Sequence, residues 1–176
     1  MELMRKRQNL IEKCNRIKLI LTDVDGVLTD GGMYYSKRCD IIKKFNVKDG
    51  MGVNILLRNG IKTVIITKEK SRIVEKWGKE MNVSKILMNV KKKELEMGKI
   101  CKRFKVKSEE VAFIGDDVND IELMKKVGFA VTPNDAVDIA KKSADFICKK
   151  DGGKGAFREL VDLILTKKSH GRIIWY

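Results

Sequence analysis

The chain has 176 residues, 38 Lys+Arg against 24 Asp+Glu, and a formal net charge of +14; that length fits one domain with a real core and leaves little room for a second. With 43% hydrophobic and 35% charged residues, one proline and 14 glycines, it is neither disordered, proline-rich nor collagen-like. No apolar run approaches the roughly 18–20 residues needed to cross a bilayer.

In chain order, residues 1–16 read as a basic lead without the apolar core of a secretory signal. Residues 17–166 read as the domain, and 167–176 as a short tail. Ile17–Thr22, Ile61–Thr67, Lys85–Asn89, Val111–Gly115, Phe129–Val131 and Phe146–Cys148 are short apolar runs that read as buried strands. Ser71–Met81 places Ile73, Val74, Trp77 and Met81 on one helical stripe behind an N-cap Ser71. Glu94–Phe104 offers a weaker stripe of Leu95, Ile100 and Phe104, and Ala156–Leu165 a strong final one. Strands alternating with helices predict an α/β, Rossmann-like, mainly parallel sheet with helices on both faces. Gly31–Phe45 breaks the rhythm as a β-hairpin inserted after strand one.

In such sheets ligands sit at the carboxyl ends of strands. There, strand one is followed by Asp23-Val24-Asp25-Gly26. Two carboxylates so close repel unless a cation lies between them, and Mg²⁺ suits oxygen ligands beside a phosphate. Asp23 is then a candidate nucleophile towards phosphorus and Asp25 a candidate acid and base; the plain alternative is an Asx turn. Thr67, at the end of the next run, is either a phosphate-oxygen donor or part of an ordinary helix cap. Lys91-Lys92-Lys93 is either a neutralising cation or a solvated run. Gly115-Asp116-Asp117-Val118-Asn119-Asp120 holds more carboxylates than helix capping needs, which favours a metal. The order is acid pair, Thr, Lys, acid cluster. A phosphate-accepting receiver domain uses the same groups in another order and is excluded on that ground.

This arrangement resembles the haloacid dehalogenase superfamily of phosphatases over about residues 17–165. The resemblance implies Asp23 as nucleophile, Asp25 as acid and base, and Thr67 and Lys93 on the phosphoryl group. It also implies Mg²⁺ held by Asp23, the Asp25 carbonyl and Asp116, with Asp120 ordering the metal's water. Larger members insert a cap domain, and the gaps here are too short for one. Phe45-Asn46-Val47-Lys48-Asp49-Gly50-Met51-Gly52 and Gly152-Gly153-Lys154-Gly155-Ala156-Phe157-Arg158-Glu159 further resemble the 3-deoxy-D-manno-octulosonate 8-phosphate (Kdo 8-phosphate) phosphatase group. That implies a phosphorylated 2-keto-3-deoxy sugar acid as substrate, with Lys48, Asp49, Glu69 and Arg158 as substrate-side residues and Lys154 in support. It also implies a homotetramer in which a neighbour covers the open site, the hairpin being the natural contact.

Where the octulosonate enzymes usually carry Thr-Gly-Arg-Lys-Ser, this chain has Thr67-Lys68-Glu69-Lys70-Ser71. Lys68 removes a glycine from a loop near phosphate, and Glu69 resembles the phosphatases of nine-carbon keto-sugar acids (KDN or N-acylneuraminate 9-phosphate). A nine-carbon substrate is therefore the alternative, and a weakly active tetrameric assembly module a second one. The +14 charge invites a nucleic-acid reading, but lysines scattered without aromatic interleaving favour a solvated surface with no nucleic-acid or membrane partner. The scattered cysteines Cys14, Cys39, Cys101 and Cys148 read as reduced thiols of a cytoplasmic protein. His170 reads as a surface residue of the tail. Trp77 reads as core, while Trp175 either docks on a neighbour or stays unordered.

Overall fold

A computed structural model describes residues 2–35, 37, 41–168 and 172–176; Cys39 and His170 lie outside the described residues. Six strands form one parallel sheet: β1 (Leu19–Thr22), β4 (Lys62–Ile66), β5 (Lys85–Leu87), β6 (Val111–Ile114), β7 (Phe129–Thr132) and β8 (Phe146–Ile147). Their order is β5-β4-β1-β6-β7-β8, so β1 lies at the centre, in register with Lys62–Ile65 on one side and Val111–Ile114 on the other. A separate antiparallel hairpin pairs β2 (Tyr34–Tyr35) with β3 (Ile41–Ile42).

The strands are apolar on both faces because both faces are covered. Ile20, Ile65, Ala112, Ile114, Phe129 and Val131 enter one core. Their chain neighbours Leu19, Leu21, Val64, Ile66, Phe113 and Ala130 enter the other, the period-2 alternation of a pleated strand. The first core is closed by α1 (Glu2–Arg16), α2 (Val47–Arg58), α3 (Arg72–Glu80) and α7 (Ala156–Lys167), and the second by α4 (Met97–Phe104) and α5 (Ile121–Met124), while α6 (Asp138–Ser143) links β7 to β8. On α7, Phe157, Leu160, Val161 and Ile164 are fully buried, each stabilising the fold by roughly 1.5–3 kcal/mol in transfer terms.

Three details differ from the sequence pattern. The basic lead is the helix α1, packed on α7 with Cys14 fully buried. Its C-terminal end is capped by Lys168, whose Nζ donates to the carbonyls of Asn15 (3.1 Å) and Ile17 (2.8 Å). Leu95 is 62% exposed rather than buried: it lies in a 3-10 turn, Lys93–Leu95, whose tighter winding breaks the helical phase before α4 begins. Residues 172–176 of the tail lie against their own chain, where the Asn59 side chain donates to and accepts from the Ile174 backbone at 2.9 and 3.0 Å. Ser71 caps α3 as expected, accepting from the Val74 N–H, and Trp77 is half-buried, stacked on Phe45 with ring centroids 4.7 Å apart. Among the described residues, the hairpin is the one strand pair between β1 and α2, and α3, β5, a 3-10 turn, α4 and a second short turn lie between β4 and β6. No cap domain stands over the strand ends among the described residues.

Candidate active site

The ends of β1, β4 and β6 converge on a cleft of about 590 Å³ lined by Asp23, Asp25, Thr67, Glu69 and Asp116, among others. Asp23 follows β1 and stays in line with the sheet because its N–H donates to the Ile114 carbonyl at 3.0 Å. The turn after it needs Gly26, with φ +83°; a Cβ there would meet Asp116 Oδ2 at 2.0 Å. A glycine thus lets the second acid cluster close on the first.

Lys93 joins the two clusters. Its side chain is 1% exposed, and its Nζ lies 2.9 Å from Asp23 Oδ2 and 2.6 Å from Asp120 Oδ1. The register that singles out Lys93 among three consecutive lysines is the one the structure brings to the site. Asp120 is fully buried, and its other oxygen, Oδ2, accepts from the N–H groups of Asp116 (3.0 Å) and Asp117 (3.4 Å). Gly115 makes this fold-back possible, since a Cβ there would lie 2.5 Å from Asp120 Oδ2. Asp120 therefore orients Lys93 and the Asp116 backbone.

The carboxylates of the site crowd one another electrostatically. Burial, then Asp120, pushes Asp23 up to about 7, with Lys93 pulling the other way. Burial, then Asp23, Asp120 and Asp117, pushes Asp116 up to about 8. Burial opposes the charge of Lys93, yet Asp23 and Asp120 hold it above the ordinary lysine value. One ammonium cannot satisfy three carboxylates. Oxygens of Asp23, Asp116 and Asp120 all lie within 4.8 Å of one another, and Asp116 Oδ1 is buried with no hydrogen-bond partner among the described residues. An all-oxygen set with an orphaned acceptor fits a hard divalent cation. The Asp25 side chain stands outside this cluster, part-exposed at the cleft, so only its backbone carbonyl remains as its contribution to such a set.

Thr67 is buried at the end of β4, and its Oγ1 accepts from the Glu69 N–H at 3.2 Å. Lys68, where the resemblance implies a glycine, is not among the residues with positive φ, so this loop is built without the freedom of glycine. Glu69 lines the cleft. Sequence reasoning missed its partner: Lys43, just past β3, with its Nζ 2.6 Å from Glu69 Oε2 and 2.5 Å from Asp25 Oδ1. The one signal was parity, for Lys43 follows Ile42 along the hairpin, and the structure buries the lysine while leaving Ile42 61% exposed.

Three expected substrate residues lie outside the cleft. Lys48 is exposed at the start of α2. Asp49 is a correction: it is fully buried, and its Oδ1 accepts from the Arg158 N–H at 2.8 Å, fixing the start of α7. Arg158 turns its Nε to Asp162 Oδ1 at 2.7 Å and its guanidinium over the Trp175 ring. Lys154 pairs with Asp151. The Gly152-Gly153 loop before α7 instead buttresses the acid turn. The Gly153 N–H donates to the Val27 carbonyl at 2.9 Å, and a Cβ on Gly152 would lie 1.9 Å from the Gly26 carbonyl oxygen.

Residues 62–160 match the family model described as haloacid dehalogenase-like hydrolase. The chain belongs to the haloacid dehalogenase-like hydrolases. It is 34% identical over 157 residues to the 3-deoxy-D-manno-octulosonate 8-phosphate phosphatase KdsC of Escherichia coli K12, covering 89% of this chain and 84% of that one. The phosphatase of that name from Moraxella catarrhalis, in complex with magnesium, phosphate and KDO, superposes with a TM-score of 0.89 at 32% identity, over 92% of each chain. The cobalt-bound Haemophilus influenzae phosphatase superposes at 0.86 with 33% identity, over 89% of this chain and 91% of that one. This haloacid dehalogenase-like hydrolase is a phosphatase of phosphate monoesters, and its acidic cluster of Asp23, Asp116 and Asp120 could hold a divalent metal.

Proposed function

We propose that the protein is a Mg²⁺-dependent phosphatase of a phosphorylated 2-keto-3-deoxy sugar acid of the Kdo 8-phosphate type, working through an aspartyl-phosphate. The observation that carries this reading is Asp23 at the cleft end of the central strand, its Oδ2 held by buried Lys93. With Oδ2 so held, Oδ1 is the nucleophile. It attacks phosphorus in line as the P–O bond to the sugar breaks, and Asp25 gives its proton to the departing oxygen. Asp25 then takes a proton from water as that water attacks phosphorus, and the Asp23–phosphate bond breaks. Thr67 and Lys93 hold phosphoryl oxygens, Lys93 supplying fixed positive charge where negative charge accumulates. Mg²⁺, held by Asp23, Asp116 and the Asp25 carbonyl with Asp120 behind them, would neutralise further charge on the phosphoryl group.

Glu69 favours a second reading. A carboxylate at the cleft mouth accepts hydrogen bonds from a hydroxyl-rich chain, which supports a nine-carbon keto-sugar acid 9-phosphate. A substrate panel on purified protein with Mg²⁺ decides between them. Either sugar-acid phosphate should exceed generic phosphate esters by orders of magnitude in kcat/KM; equal rates on all esters overturn the specificity. Asp23→Asn should abolish turnover, and full activity in that variant overturns the mechanism.

The open cleft and the hairpin also support a homotetramer. Met33, Tyr34, Tyr35 and Ile42 are 64%, 47%, 60% and 61% exposed on one small insertion, an apolar face suited to a second copy. The free thiols of Cys14, Cys101 and Cys148 are in keeping with a cytoplasmic enzyme.

A further inference from the structure

We propose that Lys43 is a positioning residue that fixes which oxygen of Asp25 transfers the proton. This rests on the acid and base role of Asp25 given above. Among the described residues, the hydrogen bonds to the Asp25 carboxylate both fall on Oδ1: Lys43 Nζ at 2.5 Å and Thr29 Oγ1 at 3.4 Å. Oδ2 is thereby left to carry the proton towards the cleft. Lys43 is itself held, because its side chain is only 5% exposed and a second N–H is bound to Glu69 Oε2 at 2.6 Å. A lysine head between two carboxylates cannot swing away without leaving one of them unpaired. Glu69 in turn offsets the ammonium charge, so Lys43 braces Asp25 as a hydrogen-bond donor rather than as a lone cation. The brace comes from the hairpin, 18 residues beyond Asp25 in sequence, and links the residue facing the sugar end of the substrate to the one that protonates its oxygen.

Leaving-group chemistry separates this role from a structural one. A sugar oxygen needs a proton as it departs, whereas p-nitrophenolate leaves without one. The second half-reaction needs Asp25 as base with either ester. Lys43→Met is therefore expected to lower kcat for Kdo 8-phosphate by about 30-fold or more with KM within about threefold. With p-nitrophenyl phosphate it should give a rapid burst approaching one equivalent per site, followed by slow turnover. Lys43→Arg, which can still donate to both carboxylates, should recover a large part of the rate. A wild-type profile in Lys43→Met, or an equal loss in the burst rate and in the alkyl ester rate, overturns the proposal. Should Lys43→Met fail to fold, Lys43→Leu, which also lacks a donor, carries the same test with the same outcomes. Asp25→Asn serves as the control: if it retains wild-type activity, the acid and base reading itself is overturned; if it is impaired and Lys43→Met is not, only the role of Lys43 is.

Discussion

Replacing Asp49 with Asn asks whether this buried carboxylate serves the scaffold or the substrate. Burial pushes Asp49 up from 3.8 to about 6, against the N–H groups of Arg158 and Gly155 that favour its charge. A rise of about two units corresponds to roughly 3 kcal/mol at about 1.4 kcal/mol per unit. The folded chain holds this proton more tightly than the unfolded one, so the contribution to stability is largest below pH 4. It declines as pH rises towards 6 and stays low above that. Asn keeps an acceptor for the Arg158 N–H and removes the charge, while its amide takes the place of Oδ2, which is buried without a hydrogen-bond partner among the described residues. Urea denaturation of both proteins at pH 4 and 7.5, with EDTA in each sample, gives the difference between them; titration of Asp23 and Asp116 is common to both and cancels. Between those two pH values the difference should move by about 2–3 kcal/mol in favour of the variant, while KM stays within about twofold. A difference that does not vary with pH, or moves the other way, refutes the buried-charge reasoning. A KM raised tenfold or more restores Asp49 as a substrate ligand.

Other outcomes follow from the same geometry. Because Asp23 and Asp116 are pushed up to about 7 and about 8 in the metal-free chain, Mg²⁺ binding near pH 6.5 should release protons, and apparent affinity should strengthen as pH rises towards 8; calorimetry in buffers of different ionisation enthalpy reads the release. Gly152→Ala drives a Cβ into the Gly26 carbonyl and should cost about 1–3 kcal/mol of stability together with most of the turnover, measured by melting and by kcat. Tyr35→Glu places a charge on the exposed hairpin face and should shift the proposed tetramer to smaller species in analytical ultracentrifugation, leaving the far-UV circular dichroism of the chain unchanged.

Much of the site was legible because its chemistry follows strands. Each of Asp23, Thr67 and Gly115-Asp116 ends an apolar run, and the parallel sheet places those ends side by side. Lys93 needed the register of a resemblance, since three adjacent lysines are alike until one is buried. Lys43 was illegible for a different reason. Its partners are far away in sequence, and the hairpin turns its polar residue inward and its isoleucine outward, the reverse of the pattern for a strand packed on its own core. Asp49 and Arg158 sit in the two motifs that carry the resemblance to the Kdo 8-phosphate phosphatase group, and a motif does not say whether a residue faces ligand or main chain. Leu95 was misplaced because a helical period was extended through a 3-10 turn. The α1 helix was passed over because its charge masked the few apolar residues, Leu10 and Cys14 among them, that pack against the core.

The fastening of the acid turn by Gly152 and Gly153 has a consequence for how such an enzyme can change. Those contacts run from main chain to main chain, so they carry no information about neighbouring side chains. A turn clamped in that way keeps its shape whatever is placed around the mouth. Met33 and Lys68, which line that mouth, can then be exchanged to retarget the enzyme to other phosphate esters while the reacting carboxylates stay where they are, whereas Glu69 is tied through Lys43 to Asp25. The frame is stiff where the bond is broken and editable where the substrate is told apart.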